Sequence, residues 1–231
     1  MKLSEIRAIT FDAAGTLVDP YPSVGAVYAE IGRQHGLPVE AEGLERRFRT
    51  VFKARRLHAR TDEAGERVFW RGLAGEVFAP WADAATMDRL YPELWETFAE
   101  ARRWHPRTDV PTLFSALRAR GLKLAILSNW DSRLHRVIDG HGWLRWLDGV
   151  FISSELGAEK PSPEIFEKVA RSLGCAPHEL LHVGDSIEHD VTGALGAGWH
   201  AAWLDHGKPV DLAPRALRLQ SLEALPGLLA P

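Results

Sequence analysis

The chain has 231 residues, 45% of them hydrophobic, enough for one sizeable core or for a core with a smaller companion. Its 28 basic and 31 acidic residues nearly cancel, leaving a formal net charge of −3, which argues against a nucleic-acid or anionic-membrane surface. Cys175 is the only cysteine, so an intrachain disulfide and a cysteine-based zinc site are excluded, and no apolar run reaches the length of a membrane span. The first strand starts almost at the N-terminus with no space for a secretory signal, so a cytoplasmic location is expected.

In chain order, Ile9-Thr10-Phe11-Asp12-Ala13-Ala14-Gly15-Thr16-Leu17 reads as a buried strand that stops at an acid and runs into a Gly-Thr turn. An Asp at the C-terminal end of such a strand sits where open α/β sheets place ligands. There it can be a nucleophile, a metal ligand or both.

Residues 20–105 differ in character. Val24, Val27 and Ile31 recur at helical spacing, followed by Phe48, Val51 and Phe52, then Leu73, Val77 and Phe78, then Leu90, Leu94 and Phe98. Pro20, Pro22, Pro38, Pro80 and Pro92 fall where helices would begin or be separated. The stretch is expected to hold four or more helices and no strand. Its basic run, Arg46, Arg47, Arg49, Lys53, Arg55 and Arg56, brackets Leu44, Phe48, Val51 and Phe52 as the solvated face of an amphipathic helix would.

Beyond residue 105 strands and helices alternate. The pattern predicts a helix over 110–120 stopped by Gly121, a strand over 122–127 ending at Ser128-Asn129, and a short strand over 149–152. A helix over 163–173 and a strand over 180–183 ending at Gly184-Asp185-Ser186 follow. Next come a helix over 190–197, a last strand over 199–204 and a short C-terminal helix within 217–229. Alternation of this kind predicts a mostly parallel sheet covered on both faces. The expected fold is therefore α/β: a Rossmann-like core of residues 1–19 and 106–231, with a helical cap of residues 20–105 inserted after the first strand.

Asp12, Ser128 and Asp185 each close a strand, so in parallel neighbours they converge on one sheet edge. Lys160 follows in a loop before a helix, and Asp190 opens the helix after Asp185. Two or three carboxylates beside one lysine would repel one another without a cation. Oxygen ligands together with a phosphate favour Mg²⁺.

With these residues in place, the chain resembles the haloacid dehalogenase superfamily of hydrolases over roughly residues 6–205. Asp12 to Thr16 matches the nucleophile loop, Ser128 the second motif, Lys160 the third, and Gly184-Asp185 with Asp190 the fourth. The long interval between Asp12 and Ser128 accommodates a cap there, and the short one before Lys160 leaves no room for a large second cap. The start Thr10-Phe11-Asp12 and the run Ser128-Asn129-Trp130-Asp131-Ser132-Arg133-Leu134 are similar to the branch named for rhythmically expressed gene two.

The resemblance implies a small phosphorylated substrate, no nucleic-acid or membrane partner, and a nucleophilic Asp12 that forms an aspartyl-phosphate. Ser128, Asn129 and adjacent backbone amides would bind phosphate oxygens, and Lys160 would offset charge. Mg²⁺ would be held by Asp12, Asp185 and the backbone carbonyl of Ala14, with Asp190 a ligand or a support. Thr16 would brace the loop.

Most relatives carry a second, proton-shuttling Asp where this chain has Ala14, and a methyl group transfers no proton. Four other readings follow from that departure. They are a catalytically weak binder of a phosphorylated ligand or protein, a phosphonatase-like enzyme using Lys53, a metal-free 2-haloacid dehalogenase, and an enzyme with His58 as substitute acid. Among the neighbours, Asp131 is expected to cap a helix, His189 to lie exposed in a first helical turn, and His182 to be a hydrogen-bonded core residue.

Overall fold

Every residue of Ala8–Phe11 is buried, as in a strand with neighbours on both sides and layers over both faces. In the computed structural model, which describes residues 3–55, 62–205, 207 and 216–229, this strand is β1. The chain then passes through β2 (Val18–Pro20) and four helices, α1 (Val24–Gln34), α2 (Ala41–Ala54), α3 (Glu63–Phe78) and α4 (Ala84–Thr97), before β3 (Trp104–Pro106). From there α5 (Val110–Arg118), β4 (Lys123–Ser128), α6 (Arg133–Gly140), β5 (Gly149–Ile152), α7 (Ser153–Leu156) and α8 (Pro163–Leu173) follow. The chain closes with β6 (Leu180–Gly184), a π-helical turn (Ile187–Thr192), α9 (Gly193–Gly196), β7 (His200–Leu204), β8 (Ala216–Leu219) and α10 (Leu225–Leu228).

Six strands form one parallel sheet in the order β5-β4-β1-β6-β7-β8. Successive side chains alternate between faces, as a strand requires. Ile9, Phe11, Leu124 and Ile126 pack on one side with Phe114 and Val137, while Ala8, Ala125 and Leu127 pack on the other with Phe166 and Val169. From β1 the order runs outward both ways, to β4 and to β6. The C-terminal end of β1 is thus the point where an open α/β sheet forms its crevice.

Helices α1–α4 bury a cluster of their own around Val27, Tyr28, Leu44, Leu73, Phe78 and Leu90. Side chains of Ser23, Asp62 and Asp83 cap α1, α3 and α4 by accepting backbone N–H bonds. Antiparallel β2 and β3 pair Val18 with Pro106 and Pro20 with Trp104, so the chain leaves for these helices and returns from them side by side.

Several expectations need correction. Pro92 lies inside α4 rather than between helices. Burial of Leu90, Leu94 and Trp95 around it outweighs the local cost of about 3 kcal/mol. Trp104 and His105, expected in the helical stretch, are strand residues fixed by β2. Residues 217–219 belong to β8, which pairs with β7, so only the end of the expected C-terminal helix is helical. Asp190 does not open a helix, because helical backbone already begins at Ile187 behind the cap residue Ser186. His58 lies outside the described residues.

Candidate active site

The residue after β1 is Asp12, whose backbone N–H donates to Val183 of β6 at 2.9 Å. Beyond it the chain turns tightly: N–H groups of Thr16, Leu17 and Val18 all point to the Ala13 carbonyl at 2.8–3.2 Å. Gly15 makes the turn possible. Its φ of +83° suits glycine, and a Cβ there would stand 2.8 Å from Oδ2 of Asp185. The turn thereby brings the loop bearing Asp12 and Ala14 against the end of β6.

Oδ1 of Asp12 accepts two hydrogen bonds, from Ser128 Oγ at 2.9 Å and from Lys160 Nζ at 2.8 Å. Lys160 is 2% exposed and all three of its donors are engaged, the others by the Leu127 carbonyl at 3.0 Å and Asp190 Oδ1 at 2.6 Å. Burial works against its charge, but Asp12 and Asp190 more than offset this and hold the ammonium above the ordinary lysine range. The Asn129 side chain fixes the lysine from behind: its Nδ2 donates to the Lys160 carbonyl and its Oδ1 accepts from the Lys160 N–H, both at 2.8 Å. One N–H of the amide and the backbone of Asn129 remain for a ligand, and Asn129 also helps to line the cavity above.

One carboxylate oxygen from each of Asp12, Asp185 and Asp190 lies within 4.8 Å of the others. Their surroundings set them apart. Asp190 is buried, with Oδ1 accepting from Lys160 and facing His182 Nε2 at 3.0 Å, and Oδ2 accepting from the Ser186 N–H at 2.9 Å. Burial opposes its ionisation, yet Lys160 and His182 drive its carboxyl well below the usual range. Asp185 is pushed up to about 6 by burial and then by the neighbouring charges of Asp12 and Asp190, with Lys160 pulling the other way. Negative charge therefore exceeds positive charge at this point. Gly184 permits the crowding, since a Cβ there would fall 2.2 Å from Cγ of Asp190.

His182 shows what was hidden in the sequence. It is a core residue, as expected, but also a strut: Nδ1 faces Thr10 Oγ1 at 2.7 Å while Nε2 faces Asp190. A neutral ring with the proton on Nε2 satisfies both, and burial followed by Lys160 keeps its pKa low. The signal was one of register, because β1 and β6 set Thr10 beside His182.

Other neighbours add detail to what the sequence predicts. Asp131 is fully buried; its Oδ1 accepts the Arg133 N–H at 3.2 Å at the start of α6, as a cap would, and it also forks with the Arg133 guanidinium, accepting from Nε and Nη2 at 2.7 Å each. The guanidinium also lies 3.5 Å from the centroid of the Trp95 ring. Thr16 braces the loop only through its backbone, since its buried hydroxyl has no partner among the described residues. His189 is half-buried with Nδ1 at 3.1 Å from Ser186 Oγ. Lys53 is exposed on α2.

Above this edge, between the sheet and α1–α4, lies a cavity of about 250 Å³ that Ala14 and Asn129 help to line. The side chain of Asp12 is 12% exposed against 2% for Lys160 and for Asp190, and Asp185 is half-buried, so Asp12 and Asp185 are the two acids that solvent reaches.

Comparison with known proteins adds an independent line. The sequence model of haloacid dehalogenase-like hydrolases matches residues 6–198. The rhythmically expressed gene 2 protein of Drosophila melanogaster is 31% identical over 216 residues, covering 87% of this chain and 83% of that protein. Among solved structures, a HAD phosphatase from Thermococcus onnurineus superposes with a TM-score of 0.71 at 25% identity, covering 97% of this chain and 98% of the other. The L-2-haloacid dehalogenase of Xanthobacter autotrophicus superposes with a TM-score of 0.73 at 22% identity, over 97% and 98% of the two chains, and shares the fold.

Proposed function

Because the chain belongs to the haloacid dehalogenase-like hydrolases, we propose that it is a Mg²⁺-dependent phosphohydrolase with Asp12 as its nucleophile. The observation that carries this reading is the pinning of one Asp12 oxygen by Ser128 and Lys160 beside a second acid, Asp185, which burial and the nearby Asp12 and Asp190 charges push up to about 6. Similarity to a solved HAD phosphatase supports it.

The residues fit a divalent cation. Asp190 has both oxygens committed to protein donors, which leaves Asp12 and Asp185 as the carboxylate ligands, with the Ala14 carbonyl as the third protein oxygen. Asp190 then acts through Lys160, as a support. A bound Mg²⁺ would supply charge for the phosphate oxygens and orient them for in-line attack.

In the first step an Asp12 oxygen forms a bond to phosphorus while the ester oxygen departs with its electron pair. Ser128 and the amides after it hold the phosphate, and Lys160 offsets its charge. In the second step water adds to phosphorus and Asp12 leaves as the free carboxylate, giving inorganic phosphate. Positioning and electrostatics do most of the work. Helices α1–α4 act as the cap, the substrate is a small phosphorylated molecule, and the protein works in the cytoplasm without nucleic-acid or membrane partners. Among the described residues no helix is long and apolar enough to cross a membrane.

A screen of phosphate esters graded by leaving-group acidity, with and without Mg²⁺, tests the reading. Turnover should need the metal, rise with leaving-group acidity and vanish in Asp12→Asn. Equal turnover by that variant would overturn it.

Ala14 favours a second reading, a phospho-ligand binder with little turnover. Beryllium fluoride trapped on Asp12 in Mg²⁺ would favour the enzyme, and ester binding without hydrolysis across the panel would favour the binder. Dehalogenation fits poorly, because a haloacid carboxylate would have to sit beside Asp12 and Asp185, where burial and then neighbouring negative charge already raise Asp185. The exposure of Lys53 and its absence from the cavity wall likewise argue against Schiff-base chemistry.

A further inference from the structure

The cavity over Ala14 is walled mostly by aromatic side chains, among them Tyr28, Phe48, Trp95 and Trp130, with aliphatic Val24 and Leu94 between them. Arg133 is the one charged residue in that wall among the described residues, and it has no charge to spare. Its guanidinium forks onto Asp131, donates to the Trp95 carbonyl at 3.3 Å and covers the Trp95 ring. An anionic occupant would find no free counter-charge here, so the wall suits an uncharged one.

Size sets a second limit. A dry cavity of about 150 Å³ takes one benzene. About 250 Å³ therefore admits one substituted ring or two fused rings.

Tyr28 supplies the polar detail. It is 3% exposed, and its ring is fixed by stacking on Phe78 at 5.4 Å and by edge contacts with Phe48 and Phe98. Its hydroxyl makes no hydrogen bond among the described residues, whereas that of Tyr91 in the same wall donates to the Arg67 carbonyl at 3.0 Å. Burial raises the Tyr28 phenol well above its ordinary range, so it remains a donor. With Tyr28 in the cavity wall and its hydroxyl not among the fully buried unpaired atoms, that donor is open to an acceptor carried by whatever fills the cavity.

We propose that this cavity receives the leaving group of the substrate, an uncharged aromatic alcohol of one or two rings, and that the Tyr28 hydroxyl donates to an oxygen carried on that ring system. Transfer of the phosphoryl group to Asp12 rests on the phosphohydrolase reading; the occupant of the cavity does not. The assignment also accounts for Ala14, since an aromatic alcohol departs as a stabilised phenoxide and takes its proton from water afterwards.

The test uses the full chain in Mg²⁺. KM is measured for 2-naphthyl phosphate, 4-methylumbelliferyl phosphate and ethyl phosphate, and the free aromatic alcohols are titrated by quenching of the cavity tryptophans. Both aryl esters should show a KM at least about tenfold below that of ethyl phosphate, and 2-naphthol should bind and compete. Tyr28→Phe should raise KM about tenfold for the umbelliferyl ester, whose lactone oxygens it can no longer reach, and leave the naphthyl ester within about twofold. An equal change for both esters would overturn the role of Tyr28. No binding of either alcohol, with ethyl phosphate hydrolysed at as low a KM, would overturn the occupant. Alcohol binding without turnover of any ester would overturn the phosphohydrolase reading alone and support the occupant.

Discussion

In the proposed phosphohydrolase a methyl group at position 14 gives the departing oxygen no proton from that position, and general acid–base help is worth about 10²–10⁴ in rate. Ala14→Asp should therefore raise kcat for alkyl phosphates by up to about that factor and change aryl phosphates far less, as steady-state kinetics on matched esters would show. Asp185 offers a test that needs no substrate. Its pKa of about 6 exceeds the ordinary 3.8, so the folded form binds this proton more tightly than the unfolded chain does. Its favourable contribution is complete below about pH 4 and is lost as pH rises through 6, a loss of at most about 3 kcal/mol. In EDTA at pH 7.5, Asp185→Asn should melt a few degrees above the wild type, with the gap closing toward pH 5; Mg²⁺ should raise the Tm of the wild type only. Asp12 and Asp185 are legible because each directly follows a strand end, and Lys160 because it stands just before a helix that opens on Pro163; topology sends strand ends to one place. The struts are not. His182 looks like any core histidine until the β1–β6 register sets Thr10 beside it, and nothing in the run around Asn129 announces that its amide clasps Lys160.

At the scale of elements, the turn after β6 decides where Asp190 points. Ser186 Oγ accepts the His189 N–H at 3.1 Å, and the Ser186 N–H holds Asp190 Oδ2. Ser186→Ala should cost about 1 kcal/mol, or a few degrees in Tm by calorimetry, with a modest fall in kcat as Asp190 loosens its hold on Lys160. A π-helical turn at this point was not readable, because one extra residue per turn leaves no periodic trace in six residues. Most central strands and α8 were read to within a residue or so, since their apolar runs are bounded by glycines or prolines. Edge strand β8 has four residues and only one fully buried side chain, too little to stand out from a helix pattern. Pro92 misled for the opposite reason: local chemistry said break, and the packing of α4 prevailed.

For the whole molecule, the position of α1–α4 over the sheet edge is fixed by a small set of polar contacts, among them those of Glu63. Glu63, in the first turn of α3, accepts from the Ser132 N–H at 3.0 Å, from Ser132 Oγ at 2.7 Å and from Ser154 Oγ at 3.3 Å. Glu63→Ala should release this latch, raising KM several-fold and enlarging the radius of gyration in small-angle scattering, with little change in Tm because Glu63 caps nothing in the sheet. Both crossings between the helices and the sheet run through the ribbon of β2 and β3, whose strands lie side by side. The 83 positions from Tyr21 to Arg103 thus hang from a single two-stranded stalk, like a drawer on one rail. A protein engineer could withdraw that drawer and slide in another of different lining, and the machinery at the end of β1 would keep its wiring.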